Sequence, residues 1–294
     1  MADQSSPRCW WTPIAGRPLR VVSLLLTVWV VVSPWAHGQE TKLVVVPAVA
    51  YGLPGFDDNL WTSEIYLSNP TSSRLDATIE AILPGYTIPP DAWFSCPWTG
   101  RSEFHIEPGS SEWYPVGADL CSADEAVGAY VFRVTEGMVI SSRMVNHDPE
   151  AIASCCPMLE GFGTEVPGIP VDELPNAGAH LLSTLVWHPD RCGPRTFDTY
   201  VGFANPFEGE VHVLLELAGD SADPSIDTLP RELTVPGLSW QQILIRPPTS
   251  DGTICRSPAM FDLRVEIDGP LAIYASVVDR SRQDGRVVLP LPME

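Results

Sequence analysis

Proline decides what most of this chain can become. Thirty prolines and 22 glycines are spread through 294 residues. A helix interior does not tolerate proline, which lacks the N–H of the i to i−4 bond and clashes with the preceding turn. After residue 40 the turn-forming residues recur at intervals of about eight to twelve, and the runs between them are short and β-rich, the pattern of antiparallel strands in a sandwich or barrel. The fold class expected is therefore all-β.

Alternation within the runs indicates one buried face per sheet. Trp61, Ser63, Ile65 and Leu67 share one side of a strand, with Thr62, Glu64 and Tyr66 on the other. Leu75, Ala77, Ile79 and Ala81 oppose Asp76, Thr78 and Glu80 in the same way. Period-two patterning with one polar face suits a sheet packed on one side. Pro115, and Pro206 after its strand, belong at strand ends or edges, because proline cannot donate to a central ladder.

The runs also repeat. Trp61 to Asn69-Pro70, followed by Leu75 to Ile82, reads like Phe197 to Asn205-Pro206, followed by Val211 to Leu217. Further on, Glu107-Pro-Gly-Ser-Ser-Glu-Trp113 corresponds to Val235-Pro-Gly-Leu-Ser-Trp240, and Phe132-Arg-Val134 to Leu263-Arg-Val265. Glu136-Gly137 and Met138 to Ser142 correspond to Asp268-Gly269 and Leu271 to Ala275. These matches fall in one order, so the chain contains two copies, about 42–168 and 171–292, each of seven expected strands. The domains are drawn at 39–168 and 169–294.

The N-terminus has the three parts of a secretory signal peptide. Arg8, Arg17 and Arg20 outweigh Asp3, Val21 to Val32 is an apolar run, and Ala36-His37-Gly38 offers small residues for cleavage before Gln39. The run falls short of the roughly 20 apolar residues of a spanning helix, which favours export over anchorage. Removing residues 1–38 from 17 basic and 37 acidic residues leaves 14 against 36, a net charge of −22. That surface repels nucleic acid and anionic membranes. Six cysteines remain after cleavage, Cys96, Cys121, Cys155, Cys156, Cys192 and Cys255. An even number in an exported chain reads as disulfides. Zinc lacks support, since there is no C-x-x-C pair and no histidine at ligand spacing.

The order Val46-Pro-Ala-Val-Ala50, then Trp61-x-Ser-x-Ile-x-Leu-x-Asn-Pro-Thr71, Pro108-Gly-Ser-Ser111 and Arg133-Val-Thr-Glu-Gly-x-Val-Ile-Ser-Ser-Arg143 resembles a tandem repeat of secreted bacterial proteins, acidobacteria-like ones especially. The close of the second copy, Tyr274-Ala-Ser-Val-Val-Asp279 through Val288-Leu-Pro290, is similar to the last segment of such pairs. The resemblance covers nearly all of the chain after residue 38. It implies two immunoglobulin-like antiparallel sandwiches and an extracytoplasmic location, periplasm or cell exterior, but no activity and no catalytic residue.

Function is sought in the loops. Antiparallel connections alternate between two ends, so the short turns near 69–74, 108–111 and 135–137 share one end of the first copy. The long segments 51–60, 84–102, 118–127 and 146–165 share the other, as do 188–196, 219–230 and 246–257 in the second. All six cysteines lie in long segments. Cys192 is expected to pair with Cys255, and Cys96 and Cys121 with Cys155 and Cys156 in either order, because adjacent cysteines bridge only through a strained ring. Loops on a rigid scaffold are where binding residues gather. The richest runs from Tyr86 to Arg101 and holds Trp93, Phe94 and Trp98. Tyr86, Trp93, Phe94, Trp98 and Arg101 are the candidate ligand residues; the same rings could instead fold back as a hydrophobic lid.

Catalytic signals are sparse. G-x-S-x-G, H-E-x-x-H and phosphate-loop patterns are absent. His147-Asp148-Pro149-Glu150 could supply a base and carboxylates, and Asp57-Asp58-Asn59 lacks the spaced ligands of a calcium loop. His105 and His212 fall on outward strand faces. Asn69-Pro70-Thr71 is barred from glycosylation by its proline. No cofactor or metal site is expected. The reading is a secreted, non-enzymatic binding or surface-associated module for a protein or glycan, with a hydrolase using loop carboxylates as the alternative.

Overall fold

The period-two runs pair as strands throughout. The computed structural model describes residues 40–54, 60–85, 103–116, 126–147, 162–187, 197–218, 232–245, 259–279 and 284–293, and among these there is no α-helix. The first sandwich comprises β1 (Thr41–Tyr51), β2 (Leu53–Pro54), β3 (Leu60–Ser68), β4 (Leu75–Pro84), β5 (Glu103–Ile106), β6 (Ser111–Pro115), β7 (Ala126–Thr135), β8 (Val139–His147), β9 (Phe162–Pro167) and β10 (Ile169–Pro170). A 3-10 turn, Val171–Glu173, leads into the second: β11 (Gly178–Trp187), β12 (Phe197–Asn205), β13 (Val211–Ala218), β14 (Glu232–Val235), β15 (Ser239–Ile245), β16 (Ala259–Ile267), β17 (Ala272–Asp279), β18 (Asp284–Val288) and β19 (Leu291–Pro292).

The strands form four antiparallel sheets. Sheet A has the order β10-β1-β7-β4-β5, and sheet B the order β2-β3-β8-β9 with β6 also on β3. Their counterparts in the second sandwich are sheet A′, β19-β11-β16-β13-β14, and sheet B′, β15-β12-β17-β18. Each copy thus has a closing strand beyond the seven expected. It pairs first in sheet B (β9 on β8) and then crosses to sheet A (β10 on β1), and β18 and β19 do the same in the second copy. Pro167 and Pro170, with Gly163 and Gly168, make this segment read as loop in the sequence. Proline is tolerated because the strand lies at an edge. Pro115 ends β6, also an edge strand, and Pro206 follows β12.

The ladders correct two details of the repeat. Phe132 lies opposite Ile79, and the residue opposite Leu215 is Val265, so Phe132 matches Val265 and not Leu263. Trp113 pairs with Tyr66 whereas Trp240 pairs with Ala204, the counterpart of Ser68, which places the two tryptophans two residues apart along equivalent strands on the same face. Short hairpin connections, built from no conserved turn length, allow such slips between copies that keep their strand pairing.

Three apolar cores hold the molecule together. Val44, Val46, Ile65, Leu67, Phe104, Phe132 and their neighbours fill the space between sheets A and B. Phe104 meets Tyr114 edge-on at 5.4 Å between ring centroids. Leu182, Val201, Phe203, Leu215, Leu263, Ile273 and others do the same between A′ and B′. The third core lies between the sandwiches: Val45, Ala48, Leu83, Ala129 and Val131 of the first against Ala204, Trp240, Ala272 and Tyr274 of the second. Strands β1 and β7 alternate between two of these cores, so sheet A is buried on both faces along Val44–Ala50 and Ala129–Val131, and Gln39–Glu294 forms one compact unit.

Bulges decide where the outer face of sheet A changes character. Register shifts between Ile79 and Ala81. Before it Asp76 and Glu80 point to solvent; beyond it Ala81 and Leu83 point into the inter-sandwich core. A second shift, between Val46 and Val49, takes backbone groups out of the β1 ladder. The Ser142 hydroxyl donates to Ala48 O (3.1 Å) and Ser63 Oγ accepts from Ala50 N (2.8 Å), which explains two buried serines on a face expected to be apolar. The other copy uses Thr199, which donates to Val186 O (2.7 Å), beside the equivalent bulge in β11.

The repeated Asn-Pro is a turn clamp. Asn69 Nδ2 donates to Ser73 O and Ile106 O, both at 2.8 Å, while its Oδ1 accepts from Thr71 N. Asn205 Nδ2 donates to Gly209 O, Val235 O and Pro236 O, and its Oδ1 accepts from Phe207 N. Both side chains are buried and tie two successive turns at one end of each sandwich.

Candidate functional site

The opposite end is where the long connections arise. Tyr51 stands opposite Ala126, Pro84 opposite Gly128, Leu60 opposite His147, and Asn146 opposite Phe162. These pairings bring to one rim of the first sandwich at least one strand end bordering each of 55–59, 86–102, 117–125 and 148–161, as alternation predicts. Tyr86, Trp93, Phe94, Trp98 and Arg101 lie outside the described residues. So do Cys96, Cys121, Cys155, Cys156, Cys192 and Cys255, together with Asp57, Asp58, Asn59, Asp148 and Glu150.

The scaffold beneath that segment is well defined. Gly85, the last described residue before it, donates its N–H to Val127 O (3.0 Å) and forms a parallel bridge with Trp240. A Cβ at Gly85 would lie 2.6 Å from the Trp240 ring, so the strand leaves the scaffold pressed against the second sandwich. Also on the rim, Asn146 is buried and its Oδ1 has no hydrogen-bond partner among the described residues. Buried acceptors are normally satisfied, and an orphan usually marks a water or a functional contact.

A second surface was not evident from sequence. On the outer face of sheet B, Trp113 is 48 % exposed and stands beside Tyr66. The Tyr66 hydroxyl donates to Glu64 Oε2 at 2.5 Å, and Arg143 faces Glu64 across the ladder. Burial raises the Tyr66 hydroxyl above its ordinary pKa, and the Glu64 carboxylate adds to the rise. Glu64 itself is buried although alternation places it on the polar face. The signal that could have revealed this cluster is the coincidence of Glu64, Tyr66, Trp113 and Arg143 on one face, which only the strand order discloses.

The histidines do other things. His105 Nδ1 lies 2.7 Å from Asp76 Oδ1 on the exposed edge of sheet A, and Arg74 Nε is 3.4 Å from the same oxygen. The hydrogen bond from His105 is the main reason the Asp76 carboxyl sits below the usual range, with the Arg74 charge assisting. The third member is a guanidinium rather than a nucleophile, so the trio is an exposed ion cluster. His212, exposed as expected, contacts Thr234 Oγ1 at 3.1 Å in an open depression of about 600 Å³ with Glu232, Glu266 and Asp268. His180 is buried, its Nε2 2.8 Å from Asn176 O. Among the described residues no three His, Cys, Asp or Glu side chains are placed to hold a metal ion, and no helix is long and apolar enough to cross a membrane.

No protein family, curated protein or solved structure matches this chain.

Proposed function

We propose that the protein is a secreted, non-enzymatic binding or surface-associated module for an extracellular protein or glycan, of the immunoglobulin-like tandem type suggested by its repeat motifs. The observation that carries this reading is the shared rim of the first sandwich: the connection with the most aromatics, 86–102, leaves the scaffold at a strand end that lies on the same rim as ends bordering three other long connections. Two packed cores fix those strand ends, and a rigid base lowers the ordering cost of a binding loop. Trp93, Phe94 and Trp98 would be the anchors, with Tyr86 and Arg101 of the same segment as further ligand residues. Disulfides Cys192–Cys255, and Cys96 and Cys121 to Cys155 and Cys156, would hold the long segments. Export fits the three-part N-terminus, and the compact unit begins at Gln39, the residue expected after cleavage.

The test is Trp98→Ala, read in parallel on a glycan array, a peptide pull-down and a thermal melt. In a binding site it weakens the captured ligand by about 1–3 kcal/mol and leaves melting unchanged. A stability loss of about 3 kcal/mol with every interaction intact makes the rings a lid and removes the assignment. Intact mass of the exported protein should equal residues 39–294, and non-reduced peptide mapping checks the bridges.

A further inference from the structure

We propose that the protein self-associates head to tail, the outer face of sheet A′ of one molecule docking on the outer face of sheet B of the next. Within the chain, the outer face of sheet A is buried against the outer face of sheet B′. The strand pairings make A′ the counterpart of A and B the counterpart of B′. Each molecule therefore presents one further copy of each half of its own internal interface.

The exposed apolar residues mark these two faces. Seven large hydrophobics are exposed among the described residues: Trp113, Val139, Leu238, Met260, Leu289, Leu291 and Met293. Leu238 sits in a hairpin turn and Leu289 in the crossover from β18 to β19; the other five lie on the two unburied counterparts. Val139 pairs with Ser68 as Ala272 of the buried interface pairs with Ala204, and Trp113 is two residues along its strand from the position of Trp240. On the other face, Leu291 pairs with Leu181 as the interface residue Ile169 pairs with Val45. Met260 pairs with Val186 at the place where Val127 pairs with Ala50, and Met293 follows β19 as Val171 follows β10. Scattered apolar side chains on a surface need no explanation, but five of seven gathered on two structurally complementary faces do.

The contact is weaker than the internal one. Arg264 and Asp262 occupy the positions of Val131 and Ala129, and Ser141 that of Tyr274. Arg264 is already paired with Glu216 and Glu266, both at 2.6 Å. Two strongly acidic molecules also repel, so added salt favours the association by screening. The two faces differ, so the contact is heterologous and grows into open chains instead of closing as a dimer.

Sedimentation velocity on the purified protein tests this with two variants. One carries Trp113→Ser and Val139→Asp on sheet B, the other Met260→Asp and Leu291→Ser on sheet A′; all four positions are exposed, so both variants should melt like the parent. The parent's weight-average mass is expected to rise with concentration, more steeply at high salt. Each variant alone should associate at least about tenfold more weakly. Mixed in equal amounts, the two should form dimers and nothing larger, because each retains the face the other lacks. A parent that stays monomeric at high salt and high concentration overturns the proposal. So do variants that associate like the parent, or a mixture no larger than its separate components.

Discussion

Trp240 and Trp113 occupy the same face of equivalent sheets, yet one is 1 % exposed and the other 48 %. Around Trp240 the outer face of sheet B′ carries Ala204, Ala272, Tyr274 and Gly202, and Trp240 Nε1 donates to Pro47 O of the first sandwich at 2.7 Å. The matching places on sheet B are Ser68, Val139, Ser141 and Tyr66. Small residues beside a large ring make a surface another sheet can pack on tightly, whereas Ser68, Ser141 and Tyr66 make one that supports only a weaker contact. The scaffold is present twice. Differences in a few outward residues make one face an internal joint and leave the other on the surface of the molecule.

Removing the joint's central ring should have the largest effect. Trp240→Ala is expected to cost about 3–5 kcal/mol in denaturant unfolding, from the cavity and the stranded Pro47 carbonyl. Trp113→Ala on the counterpart face should stay within about 0.5 kcal/mol. Equal costs at the two positions would break the distinction between joint and surface.

Gly202→Ala probes the same joint from the backbone. A Cβ there would fall 2.1 Å from the Tyr274 ring, which is fully buried and cannot step aside. Overpacking of this kind is expected to cost about 1–3 kcal/mol. The same burial raises the Tyr274 hydroxyl above its ordinary pKa. Ultraviolet titration should find it still protonated where exposed tyrosines ionise, and normal titration would show the joint open in solution.

The Asn clamps should behave alike because both copies keep them. Asn69→Ala and Asn205→Ala are each expected to lose about 2 kcal/mol, since several buried backbone carbonyls lose their donor. A strong effect in only one copy would mean the two turn ends are not energetically equivalent.

The smallest effect belongs to Asp76, whose side chain is 55 % exposed. Its carboxyl is depressed in the folded state, so its stabilisation is present above the ordinary value near pH 3.9 and fades as pH falls through the lower folded value. Solvent screening keeps the contribution below about 0.5 kcal/mol. Asp76→Asn should therefore flatten the acid limb of the stability curve only slightly, and a large change at neutral pH would refute the assignment to an exposed ion cluster.

Much of this architecture is legible residue by residue. Proline spacing excludes helices, Leu75 to Glu80 alternates as a half-buried strand should, and Asn69-Pro70 recurs as Asn205-Pro206 because a short turn needs that clamp twice. The closing strand Phe162–Pro167 was hidden by its prolines and glycines, which have the composition of a loop and are tolerated only because the strand lies at an edge. Of the candidate site, the common rim is readable from the parity of antiparallel connections. The outer cluster of Glu64, Tyr66, Trp113 and Arg143 was not, because its members come from three strands whose neighbours are chosen by long-range pairing.

Local chemistry thus suffices to say that this chain makes strands, makes them twice, and turns one side of each inward. Which part of the outer face of sheet A meets water and which meets Trp240 depended on the bulges near Pro47 and Glu80 and on the arrival of sheet B′ from residues far along the chain. A side chain's alternation assigns it to a face; only the packed sheets determine what that face touches, since burial is a property of two surfaces and a strand's own sequence describes one.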